Sequence, residues 1–327
     1  MEQRILGKTG RPVSVIGLGT WQLGADWGDV DESTALDILA ASVGDGVTLF
    51  DTADVYGDGR SEQLIGRFLK EQPGSGVFVA TKMGRRVEQV PENYVLPNFR
   101  EWNDRSRRNL GVDRLDLVQL HTPPSAVYSS PEVYDALDTL VDEGRIANYG
   151  VSVERVDEAL EALRHPGVAS IQIILNAFRL KPLEQVLPRA AEAGVGILAR
   201  VPLASGLLSG RYTRETTFAA DDHRSYNRHG EAFDVGETFA GVDFETGVSA
   251  AHEFASLPPD GVTPAQFALR WIVDQPGVTA VIPGARSVEQ ARANAAAEAV
   301  APLDDAALAA VTDLYDRRIR ALVHDKW

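Results

Sequence analysis

Eight short apolar runs, each leading into a segment with helical spacing, limit what this chain can fold into. The runs cover residues 15–19, 47–50, 77–81, 115–120, 146–151, 170–175, 195–201 and 278–282. They are too short for helices and rich in β-branched residues, as strands buried on both faces are. Helical patterns lie between them. Asp31 can cap one through Leu36, Leu39 and Val43 to Gly44, and another opens at Ser61. Others fall within 99–110, from Ser130-Pro131 to Gly144, in 156–163, 183–193, 263–274 and 288–297, and from Asp304 onward. Strand and helix in alternation predict an α/β fold in which a parallel sheet closes as a (β/α)8 barrel, one domain over residues 1–327. The rival is an open doubly wound sheet. Gly17-Leu18-Gly19 hints at its dinucleotide loop, but Gln22 stands where the third glycine belongs. Residues 4–6 and 12–14 flank Gly7-Lys8-Thr9-Gly10 and read as a hairpin over one barrel end. One long interruption, 211–260, with a helix near 247–257, has the length of a functional lid or a mobile insertion.

Several of these runs end on a chemical residue. Run 47–50 leads into Asp51, with Tyr56 in the loop beyond. Run 77–81 leads into Lys82, and run 115–120 into His121. Strand alternation puts Val47, Leu49 and Asp51 on one face, as it does Phe78, Ala80 and Lys82, and Leu117, Gln119 and His121. The polar ends therefore converge on one barrel mouth, where barrel active sites lie. A charge at the end of a buried strand is costly unless paired. The plainer alternative is a structural Asp51–Lys82 ion pair with Tyr56 and His121 at the surface.

These residue types suit carbonyl reduction. A free tyrosine, with a pKa of about 10, is a poor acid at neutrality. A lysine cation beside it stabilises the phenolate. Asp51 would hold that lysine, and His121 could orient the substrate oxygen. No protein side chain donates hydride, so a nicotinamide cofactor is implied. Two other readings stay open: a Schiff-base aldolase using Lys82, and a cofactor-binding regulatory subunit with little turnover.

Phe50-Asp51-Thr52-Ala53-Asp54-Val55-Tyr56-Gly57, with Ser61-Glu62, Gly66, Thr81-Lys82 and Leu120-His121, resembles the aldo-keto reductase superfamily over nearly the whole chain. The resemblance implies an NADPH-dependent reductase of aldehydes or ketones, with Asp51, Tyr56, Lys82 and His121 catalytic. It also implies that Ser152, Gln172 and Asn176 hold the nicotinamide amide, although Val153 follows Ser152 where many relatives have asparagine. Gly19, Thr20 and Trp21 resemble the edge between cofactor and substrate, with Trp27 a second pocket aromatic. Arg200, Pro202 and Leu203, then Ser205, Gly206, Leu208 and Gly210, resemble the loop that passes over the pyrophosphate. Gly284, Arg286, Gln290 and Asn294 match the segment that meets the adenosine 2′-phosphate and adenine, so NADP is expected rather than NAD. The residues support that expectation independently. Ser287 reads as a helix cap, helix starts attract phosphate, and Arg286 beside it is cationic.

Composition narrows the partners. Thirty-two basic and 47 acidic residues give a net charge of −15, which disfavours nucleic acid and anionic membranes. There is no cysteine, hence no thiol chemistry or disulfide framework. Neither a signal-peptide core nor a run of about 18 apolar residues is found, so the expected setting is the cytoplasm, with a small carbonyl substrate. Asp221, Asp222, His223 and His229 fit no metal-ligand spacing and are expected in a solvated loop without metal. Arg317, Arg318 and Arg320 are expected on a solvated helix face. His324 and Trp327 could fold over the barrel mouth.

Overall fold

The computed structural model describes residues 1–24 and 30–327; Trp27 lies outside them. The hairpin β1 (Gln3–Ile5) and β2 (Pro12–Ser14) comes first. Eight strands follow: β3 (Leu18–Gly19), β4 (Leu49–Asp51), β5 (Phe78–Met83), β6 (Leu117–His121), β7 (Tyr149–Ser152), β8 (Val168–Ile174), β9 (Gly196–Arg200) and β10 (Val278–Val281). Each pairs in parallel with its neighbours in chain order. Single bridges, Ile16 to Val281 and Gly19 to Gly284, join the first strand region back to the last. The expected run 15–19 thus divides its bonds. Leu18–Gly19 pairs with β4, while Gly17 N–H donates to Val281 O at 2.8 Å.

Helices α1 (Glu32–Gly44), α2 (Arg60–Glu71), α3 (Leu96–Leu110), α4 (Pro131–Asp142), α5 (Val156–Ala162) and α6 (Pro182–Glu192) alternate with the strands. After β9 come α7 (His223–Tyr226), α8 (Phe244–Phe254) and α9 (Pro264–Val273). After β10 come α10 (Val288–Ala295), α11 (Asp305–Arg318) and α12 (Arg320–Val323). The caps explain several starts. Asp31 accepts from Thr34 N at 2.9 Å, Ser287 from Gln290 N at 3.2 Å, and Asp304 from Ala307 N at 2.8 Å. Ser130 differs from expectation: its hydroxyl bonds Glu132 instead of capping α4. Helix α1 runs through Gly44, and Gly46 makes the left-handed turn.

Period-two alternation separates two cores. Leu49, Phe78, Ala80, Leu117, Leu198 and Ala280 fill the barrel with Leu6 and Val13 of the hairpin, which plug its lower end. Phe50, Val79 and Val118 face the helices. Gly7 (φ +46°) allows the plug to seat, since a Cβ there would lie 2.2 Å from Gly196 N. Asp51, Lys82 and His121 follow the inward residues at even spacing, so their side chains meet at the upper mouth.

Candidate active site

Lys82 is 1% exposed, and a buried ammonium is costly unless its donors are taken. Its Nζ lies 2.5 Å from Asp51 Oδ1, 2.9 Å from Thr52 O and 3.3 Å from Tyr56 Oη. Asp51 spends its other oxygen on Gln172, whose Nε2 donates at 2.7 Å. His121 stands edge-on to Tyr56, with ring centroids 5.8 Å apart. The loop that delivers Tyr56 depends on Gly57 (φ +57°), where a Cβ would lie 2.1 Å from Gly24 O.

The charges in this corner are set by burial and by one another. Burial pushes the Tyr56 phenol above its ordinary value, and the Lys82 cation pulls it back only in part. Burial alone would lower Lys82, but Asp51 and Tyr56 more than offset this and hold it above its ordinary value. Burial, reinforced by Arg85, Lys82 and Arg200, drives His121 well below the usual imidazole range. At neutral pH the corner therefore holds a protonated phenol, an ammonium and a neutral imidazole.

Two clefts open on Tyr56. The first, of about 330 Å³, runs from Asp51, Tyr56 and Gln172 past Gly19, Thr20 and Trp21 on one side. Arg200, Pro202, Leu203, Ser205 and Gly206 lie on the other, and Gly284, Arg286 and Gln290 at the far end. The second, of about 440 Å³, has His121, Trp21 and Tyr56 on its walls together with Arg85, Glu154 and Glu237.

Some expected cofactor contacts do not line the first cleft. Leu208 is fully buried in the core. Gly210 makes a left-handed turn packed on Ala255. Asn294 donates to Gly284 O at 3.1 Å, so it supports the cleft wall from behind. Ser152 is buried, and its carbonyl accepts from Tyr128 Oη at 2.8 Å. Asn176 donates to Val201 O and accepts from Phe178 N. Arg200 does line the cleft, but it is also tied to Glu154 at 2.6 Å and lies 3.6 Å from Glu237.

The long interruption contributes residues that no motif marked. His223, Arg224 and Glu237 line the first cleft, as does Gln22. The solvated-loop expectation fails for Asp222 and His223, which are 7% and 3% exposed. Asp222 caps α7 through Arg224 N and ion-pairs with the Arg224 side chain. The His223 ring packs 5.1 Å from Trp21, and burial lowers its pKa to about 4. Ser205, in a left-handed conformation (φ +56°), clasps the same segment. Its hydroxyl donates to Glu237 O at 3.0 Å and accepts from Phe239 N at 3.1 Å. Trp327 adds a buttress, its Nε1–H donating to Asp234 at 2.9 Å and its ring lying 3.7 Å from the Arg179 guanidinium. His324 bonds Tyr315 at 2.9 Å, while Arg317 and Arg318 are exposed.

The family model "Aldo/keto reductase family" matches residues 15–316. The chain belongs to the aldo/keto reductase family. Within it, the chain is 32% identical over 299 residues to aldo-keto reductase YhdN of Bacillus subtilis, covering 90% of this chain and 87% of that one. The glycerol dehydrogenase AKR11B4 of Gluconobacter oxydans has a similar solved structure, with TM-score 0.79 and 31% identity over 97% of this chain and 95% of that one. So does the holo form of aldo-keto reductase AKR11C1 of Bacillus halodurans, with TM-score 0.78 and 28% identity over 96% of each chain. Among the described residues, no helix is long and apolar enough to cross a membrane.

Proposed function

We propose that this aldo/keto reductase, acting as one catalytic domain, reduces a small aldehyde or ketone to the alcohol with NADPH, and that Tyr56 is the general acid. The observation that carries the reading is the buried contact of Lys82 Nζ with both Asp51 and Tyr56.

The first cleft fits an extended anionic dinucleotide. It joins the Tyr56 corner to the start of α10, and it places Arg224 and Arg286 along its walls in a chain of net charge −15. Arg286 and the capped start of α10 would hold the 2′-phosphate, and Gly206 and Gly284 leave the backbone approachable. Bound there, the cofactor supplies the hydride. The chain's residues do the rest. Neutral His121 orients the carbonyl oxygen without competing for the proton. Tyr56 donates its proton to the oxygen as negative charge develops there. The resulting phenolate is stabilised by Lys82, which Asp51 holds in place. Lys82 also argues against a Schiff base: it is held charged and engaged by three oxygens, whereas an imine-forming lysine must be a free amine.

The test is Tyr56→Phe. Turnover of an aldehyde and ketone panel should fall by about 10²–10⁴-fold, while NADPH binding, followed by protein fluorescence, stays near wild type. Full turnover in the variant would remove Tyr56 as the acid. NADPH binding with no carbonyl reduced by the wild type would favour a regulatory subunit.

A further inference from the structure

The second cleft contains an arginine whose bonding is incomplete. Arg85, just beyond β5, sends Nη2 to Glu237 Oε1 at 2.9 Å and lies 3.9 Å from Glu154. Its Nε and Nη1 meet no acceptor among the described residues. The side chain is mostly buried, and it shares the cleft with Tyr56 and His121. A buried guanidinium with idle N–H groups is costly unless a ligand or water supplies an oxygen.

We propose that Arg85 is the specificity-determining residue of the carbonyl site. It donates a hydrogen bond to a second, uncharged oxygen on the carbon beside the substrate carbonyl. Glu237, from the insertion, is the positioning residue that holds it. The proposal rests on the assignment of Tyr56 and His121 to the carbonyl oxygen.

The surrounding charge decides between a neutral and an anionic group. Glu237 is held well into its ionised range by Arg85 and Arg200 despite burial. Burial pushes Glu154 up, with nearby Glu237 adding to the shift and Arg200 opposing it. Asp234 also lines the cleft. Arg85 therefore has a carboxylate partner in Glu237, and a substrate carboxylate would meet Glu237 and Asp234 in the same cleft. A hydroxyl or second carbonyl takes the idle N–H without that repulsion. The Ser205 clasp on Glu237 O ties this arrangement to the wall of the cofactor cleft.

Hydroxyacetone and butanone have similar size and differ in that second oxygen, and pyruvate carries a carboxylate in its place. With NADPH, the wild type should favour hydroxyacetone over butanone in kcat/KM by roughly tenfold or more, and pyruvate should be the poorest of the three. Arg85→Lys, which keeps the charge but loses the planar fork, should bring the ratio of the first two close to one. Glu237→Gln should raise KM for hydroxyacetone more than it changes kcat. Arg86→Lys, an exposed neighbour paired with Asp58, should leave the ratio alone. Calorimetry on Tyr56→Phe loaded with NADP⁺ reads the same preference without turnover. Tighter binding of hydroxyacetone there, lost when Arg85→Lys is added, supports the assignment even if Tyr56 proves not to be the acid. A ratio that survives Arg85→Lys, equal calorimetric affinities for the two ketones, or a preference for pyruvate would overturn it.

Discussion

The corner that holds Tyr56 and the wall that holds Glu237 face each other across the same two clefts, yet they are built by different means. The corner rises from strand ends, with Tyr56 on the short loop after β4. Asp51, Lys82 and His121 sit on β4, β5 and β6, locked by ladder hydrogen bonds on both sides. The wall comes from a long excursion between β9 and α9. It buries Phe239 and Ala240 in the outer core, and its cleft face is held by side-chain contacts outside the ladder: Ser205 on Glu237 and Phe239, Arg85 and Arg200 near Glu237, Trp327 on Asp234. Residues 204, 205, 239 and 240 also hold left-handed conformations without being glycine, a strain that the surrounding contacts must offset. A rigid corner fixes the reacting groups to the precision that proton transfer needs. A wall outside the strand ladder can vary without unfolding the barrel, so it is where selectivity for the substrate is expected to reside.

The largest test of that contrast is Lys82→Met in the corner. Reduction should fall by roughly 10²–10⁴-fold. The alkaline limb of the activity profile should also move to higher pH, because the cation that pulls the Tyr56 phenol down is gone. An unshifted limb with full activity would make the pair structural only.

Arg286→Ala probes the far end of the cofactor cleft. A charge-assisted hydrogen bond contributes roughly 1.5–3 kcal/mol, so NADPH should bind about one to two orders of magnitude more weakly. NADH should be little affected, and the wild-type preference should shrink as salt rises. Equal losses for the two cofactors would place Arg286 elsewhere on the dinucleotide.

His223 tests how the wall is buried. Its pKa falls from 6.5 when unfolded to about 4 when folded. Between those values the unfolded chain binds a proton that the folded one does not, so stability drops as pH falls through that window, by about 1.4 kcal/mol per unit. His223→Gln should flatten that part of the stability–pH curve in urea melts. An unchanged slope would mean that the imidazole stays solvated.

The smallest effect is expected from Ser205→Ala. Two hydrogen bonds of about 1 kcal/mol each are lost. Hydrogen exchange should quicken several-fold across 220–240 while the barrel strands keep their protection. Unchanged exchange in that segment would show that the clasp does not hold the wall.

The two regions also differed in how much the sequence disclosed. Apolar runs with period-two alternation place Leu49 and Asp51, or Ala80 and Lys82, on one face, and the barrel geometry then brings their ends together. The wall has no such period. Arg85 and Glu237 are 152 positions apart, and nothing in their neighbours links them. The Asp222-His223 pair reads as solvent-facing loop because part of its burial comes from Trp21, far earlier in the chain. Leu208 and Asn294 lie in segments that do approach the cleft, but the side chain of Leu208 enters the core and that of Asn294 braces a carbonyl behind the wall. A motif could place the segment without giving the direction of each side chain.

The central claim is that Tyr56 and Lys82 act as one acid, and a double-mutant cycle on hydride transfer tests it most directly. Single-turnover oxidation of bound NADPH would be followed in wild type, Tyr56→Phe, Lys82→Met and the double variant. If the lysine works through the phenol, the double variant should be no slower than Tyr56→Phe alone, since residues acting as a unit are not additive. Losses that multiply in the double variant would contradict the account, because each residue would then be serving the reaction independently.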